Sequence, residues 1–142
     1  MQDFSSQIPF EYWNKLANQI ITISSLLGGF SIAVIANILV SSSDSRIVKW
    51  IMVIATLAAS FFMVTIFGMT KLVLMTTEGY PFPVVSADLT MPRLVGTVSF
   101  LFGVFSLVAL ISMAGWTKSK KMGMVTTSLG ILTLALILLM IT

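Results

Sequence analysis

The sequence predicts an all-α membrane protein with four transmembrane helices, and three observations predict it. First, 57% of the 142 residues are hydrophobic and only 9% are charged, with a mean hydropathy of +1.04. Soluble domains carry about 25% charged residues, so this chain has too few charges to coat a globule in water. Second, all thirteen charges fall outside four long stretches: residues 16–43, 50–70, 94–117 and 122–142. Each stretch meets the ~20 residues that cross ~30 Å of hydrocarbon at ~1.5 Å rise per residue. Third, hydrocarbon offers the backbone no partner, so each stretch must bond within itself and be helical. The β-branched runs at 20–23 and 104–111 do not argue for strands in that solvent.

The first span is preceded by Phe10, Tyr12 and Trp13, aromatics suited to a membrane interface. Pro9 is a good early helical residue, and the helix is expected to run to about Val40. That is ~48 Å, more than a bilayer needs, so its first turns should project beyond the membrane. It is too long for a secretory signal, and neither a basic cluster nor a small-residue cleavage site accompanies it. Trp50 opens the second span and Trp116 closes the third. Lys71, just past the second span, can snorkel its ammonium to the interface. Residues 41–49 and 118–121 are short connectors. Residues 71–93 form the one long loop, stiffened by Gly79-Tyr80-Pro81-Phe82-Pro83. The chain reads as a single domain, 1–142.

Four spans place both termini and the long loop on one side, with Lys15, Lys71 and Arg93. The two short loops share the other side, with Arg46, Lys49, Lys118, Lys120 and Lys121. Basic residues mark the cytosolic side, so five against three favours short loops inside and termini outside. The net charge of +3 and pI near 9.5 are assigned to this asymmetry, and no nucleic-acid partner is expected.

The composition also excludes chemistry. With no His and no Cys, zinc sites on those ligands, thiol nucleophiles, imidazole catalysis and disulfides are ruled out. Intramembrane acids mark proton relays and many ion-coupled transporters, and all five carboxylates lie outside the spans. The ten Met residues are scattered and read as adaptable packing. The expectation is a protein that is not an enzyme and has no cofactor or metal site.

Spans one and three match at an offset of 75. Ser24-Ser25-Leu26-Leu27-Gly28-Gly29-Phe30-Ser31 lies over Ser99-Phe100-Leu101-Phe102-Gly103-Val104-Phe105-Ser106, with five of eight positions identical. Two parallel-repeat hairpins would produce such a match, and so would chance in a small apolar alphabet.

One face of span one is unusually polar and small. Lys15, Gln19, Thr22, Leu26, Gly29, Ala33, Asn37 and Ser41 follow each other at steps of three and four, which keeps them on one slowly drifting face. Two accounts fit. In the first, Ser25, Gly29 and Ala33 form a ridge for close helix approach and Asn37 bonds to a neighbour. In the second, several copies of span one surround a pore, with a hydrophobic constriction at Leu26, Phe30 and Ala33 and a polar ring at Asn37.

The segment from Ser24 to Ser31, continuing to Asn37, resembles the first, pore-lining helix of the Orai calcium channels. Gly96-Thr97 with Phe100-Leu101, Val104 and Leu107 resembles the start of that family's third helix. The resemblance implies a pore lined by Leu26, Gly29, Phe30 and Ala33, with Asn37 where the family has its selecting Glu ring. Without that charge, calcium selectivity is not implied. The family's basic inner stretch is represented only by Lys15, with Thr22 where a basic residue would stand. The resemblance also implies cytosolic termini, against the charge rule.

These readings converge on a homo-oligomeric, cation-permeable channel in a plasma or bacterial inner membrane. Its expected pore lining is Gln19, Thr22, Leu26, Gly29, Phe30, Ala33 and Asn37. The alternative is a non-catalytic scaffold or sensor subunit that meets a partner protein at the 71–93 loop. A transporter is disfavoured by the lack of charges and broken helices within the spans.

Overall fold

A computed structural model describes residues 9–141. It contains four long helices: α1 Phe10–Val40, α2 Arg46–Thr76, α3 Thr90–Ala114 and α4 Lys120–Ile141, with a short 3-10 turn at Gly115–Thr117 between the last two. All four are long and apolar enough to cross a membrane. The expected fold class is the observed one.

Helix ends depart from the charge-free runs for identifiable reasons. α1 starts after Pro9 and ends at Val40, as expected, short of the charge-free run's end at 43, because Ser41 turns to an extended conformation and its N–H closes the helix on the Asn37 and Ile38 carbonyls. The serines that follow compete with the helix for backbone partners. α2 begins four residues before Trp50, where the Ser45 hydroxyl accepts the Val48 N–H at 3.4 Å. It continues through Lys71 to Thr76, so the long loop is residues 77–89 and not 71–93. A lysine marks the edge of hydrocarbon, not the end of a helix. Arg93 likewise lies within the first turn of α3. At 118–121 the chain turns on Ser119, whose hydroxyl accepts the Met122 N–H, and α4 starts at Lys120.

The loop is held by its own chemistry. Gly79 takes φ +87°, a left-handed conformation that costs glycine nothing. Asp88 accepts the Val85 N–H at 3.0 Å, and Leu89 is buried with Ala17, Met69 and Leu72.

The helices form an open row rather than a closed bundle. α2 stands between α1 and α3, antiparallel to both, and α1 meets α3 only marginally. α4 packs on α3 and on neither α1 nor α2. Its inner face is small: Gly123 and Gly130 are buried, Thr126 donates to the Ser112 carbonyl at 2.9 Å, and Trp116 donates to Thr127 at 3.0 Å.

Phe62 of α2 is the centre of the row. It is fully buried, with Gly28 of α1 on one side and Gly103 of α3 on the other. A Cβ at Gly28 would lie 3.3 Å from the Phe62 Cβ, and one at Gly103 would lie 2.9 Å from its ring. This explains the internal match in physical terms. Ser24 and Ser99, and Gly28 and Gly103, are all buried, whereas Phe30 and Phe105 are exposed. Two helices that flank the same aromatic residue need the same small seam on one face and tolerate the same large residues on the other.

Candidate functional site

The polar stripe of α1 lies on the face turned away from α2. Gln19, Thr22, Leu26, Gly29, Phe30, Ala33 and Asn37 are all exposed, Leu26 at 70% and Phe30 at 50%. The face on α2 is a different small-residue ridge, Ala17, Ser24, Gly28 and Ser31. At 100° per residue the two ridges point in nearly opposite directions. Within one chain, the account in which Ser25, Gly29 and Ala33 pack a neighbouring helix is therefore corrected. All three are exposed, and a Cβ built at Gly29 would meet nothing within 4 Å. Asn37 does not reach another helix: among the described residues its amide group makes no hydrogen bond. Thr22 and Ser25 turn their hydroxyls onto the Asn18 and Ile21 carbonyls of their own helix.

The stripe is therefore a continuous surface about 27 Å long from Gln19 to Asn37 at 1.5 Å per residue. Its groups are neutral amides and hydroxyls, methyl-sized side chains and two large apolar residues. Such a surface can coordinate an ion weakly and can narrow to an apolar neck, but it offers no nucleophile with an adjacent base. Among the described residues, no group of three metal-ligating side chains is close enough to hold an ion.

A second feature was not recognised in the sequence. The first turns of α1, the last turn of α2 and the loop enclose an open cavity of about 750 Å³. Asn14 organises it: its amide N–H₂ donates to the Val73 carbonyl at 3.2 Å and to Thr76 Oγ1 at 3.0 Å, and lies 3.3 Å from Thr77 Oγ1. Asn18 donates in turn to Asn14 Oδ1 at 3.0 Å. Glu11 and Lys15 pair at 2.7 Å on the rim, with Glu78 and Tyr80 on the loop side. The clue lay at the start of the predicted span: Asn14 and Asn18 stand one helical turn apart on either side of its boundary, and the partners of Asn14 lie about sixty residues on.

Asn14→Ala removes the donor that ties α1 to the end of α2. At ~0.5–1.5 kcal/mol for each net hydrogen bond, the expected loss is about 1–2 kcal/mol of unfolding free energy in detergent. Amide exchange should quicken at residues 77–80, and the α3–α4 contact should not change. Unaltered exchange in the loop would show that Asn14 is not its tether.

The chain was compared with family models, curated proteins and solved structures; no family model, curated protein or solved structure matches it.

Proposed function

We propose that the chain assembles through the exposed face of α1 into a homo-oligomeric, cation-permeable pore in a plasma or bacterial inner membrane, with α1 nearest the axis. One observation supports this most directly. The most polar face of any span is the face that no helix among the described residues covers. In lipid, an uncovered amide finds no hydrogen-bond partner, and small residues forfeit contact that a neighbouring helix would supply. Around an axis the same residues are satisfied: Gln19, Thr22 and Asn37 meet water and ions, Gly29 leaves room, and Leu26, Phe30 and Ala33 form the neck. The resemblance of Leu26, Gly29, Phe30 and Ala33 to the Orai pore helix points the same way.

The native chain has no Cys, so single cysteines report cleanly. Ala33→Cys should form inter-chain disulfides on mild oxidation. Leu139→Cys, on the exposed far end of α4, should not. The detergent particle should be a ring of subunits, and liposomes should pass monovalent cations. A monomeric particle without cross-linking at 33 overturns the pore. That result would favour the second reading, a scaffold or sensor subunit, which rests on the 750 Å³ cavity walled by the long loop.

A further inference from the structure

We infer that the furrow between α1 and α3 is a binding site for an anionic phospholipid, with the phosphate on Arg93 and an acyl chain lying between the two helices. Because α2 separates α1 from α3, those helices leave an apolar furrow of about 510 Å³ at the end of the row nearest the long loop. Leu16 and Ile20 of α1 face Leu94 and Val98 of α3 across it. No segment among the described residues fills it, and between two membrane-spanning helices the material at hand is lipid.

The mouth of the furrow supplies the charge. Arg93 is exposed, and its guanidinium sits 4.7 Å from the centre of the Trp13 ring. The ring holds the guanidinium by a cation–π contact, and the planar fork of donors remains available to a ligand. The two ion pairs among the described residues are Lys15–Glu11 and Lys49–Asp44, and Arg93 belongs to neither. No carboxylate or carbonyl among the described residues accepts from its side chain. Among the described carboxylates of this end, Glu11 holds Lys15, Asp88 caps Val85, and Glu78 lines the Asn14 cavity without an ion pair to Arg93. An oriented planar cation with unused donors, at the interfacial end of an apolar channel, matches the bidentate geometry of a phosphodiester with a hydrocarbon tail. Trp13 at the same level is the usual side chain of the headgroup layer.

This site is separate from the proposed pore. Trp13, Leu16 and Ile20 lie on the α1 flank toward α3, whereas Gln19, Thr22 and Asn37 point away from both neighbours. Lipid binding is therefore testable without any ion measurement.

The test is the thermal midpoint, and the number of lipids retained by mass spectrometry, of the purified protein titrated with phosphatidylglycerol or phosphatidylcholine of identical chains. The wild type should bind phosphatidylglycerol at least about fivefold more tightly, the effect of one basic residue at a lipid surface. Arg93→Gln should abolish that preference while keeping the midpoint in phosphatidylcholine. Lys71→Gln, which keeps Arg93 intact, should retain the preference. Leu94→Trp, which fills the furrow, should weaken binding of both lipids. Glycerophosphate, a headgroup without chains, should not shift the midpoint. Preference surviving in Arg93→Gln, or glycerophosphate reproducing the lipid effect, would overturn the assignment.

Discussion

Phe62→Ala is expected to be the most damaging single substitution for the fold. Phe62 is fully buried between two glycines on different helices, so truncation opens a void that neither wall can fill with a side chain of its own. Phe→Ala in soluble cores costs ~3–5 kcal/mol, part of it transfer from water and part cavity. In lipid the transfer part is small, because the separated helices also sit in an apolar medium. What remains is lost dispersion contact, and we expect about 2–3 kcal/mol. Both α1 and α3 should loosen from α2 together. Phe67→Ala is the control: it lies on the same helix but is 71% exposed, and should change stability by less than ~0.5 kcal/mol. Gly103→Val tests the same contact from the other side. Its branched carbon would enter a space already occupied by the Phe62 ring, an overpacking cost of ~1–3 kcal/mol. Reversible unfolding in mixed detergent–SDS micelles reads all three. Equal effects at 62 and 67 would mean that Phe62 is not the keystone of the row.

The four spans were legible because one solvent dictates them: hydrocarbon excludes charge and forces helices, so the charge-free runs become α1 to α4. The end of α1 near Val40 was legible, but the facing ends of α2 and α3 were less so, because Lys71 and Arg93 are interfacial cations that sit within helices, and α2 runs on to Thr76 ahead of the Gly79 turn. The polar stripe of α1 was readable from its spacing, yet its direction was not. The helix carries two small-residue ridges, one through Ser25, Gly29 and Ala33 and one through Ser24, Gly28 and Ser31. Only the position of Phe62, three dozen residues away, decides which of them packs. α4 shows the same limit in stronger form. Its mean hydropathy matches that of the other spans, and because lipid tails and leucine side chains are equally apolar, nothing in its pattern says that it touches α3 alone. The Asn14 network was hidden for a different reason: a side chain whose three partners lie on the far end of the next helix leaves no local periodicity to read.

Asn37→Asp should give the largest functional change, under the reading in which α1 surrounds a pore. Asn37 is exposed, three residues from the end of α1, and as a ring of neutral amides it would coordinate ions through dipoles alone. Aspartate differs by one negative charge per subunit and hardly at all in shape. At ~5 Å from a monovalent cation and an effective dielectric constant of ~20, each carboxylate contributes about 3 kcal/mol of attraction, and a divalent ion doubles it. Several subunits add to that sum, although mutual repulsion raises their pKa values and keeps some of them protonated. Even one effective charge is worth roughly a hundredfold in occupancy. Divalent cations should therefore block monovalent current at concentrations at least about a hundredfold lower than in the wild type, and the block should be relieved as pH falls and the ring protonates. Asn37→Ala should alter conductance and leave the oligomer intact. If the face instead packs against a protein partner, the pattern reverses. Asn37→Ala would then lose an interhelical hydrogen bond worth ~0.6–2 kcal/mol, and aspartate would disrupt the assembly by burying an unpaired charge. Flux and oligomer stability measured side by side on the three proteins separate these outcomes. Unchanged block in Asn37→Asp, together with a weakened oligomer, would remove α1 from the ion path.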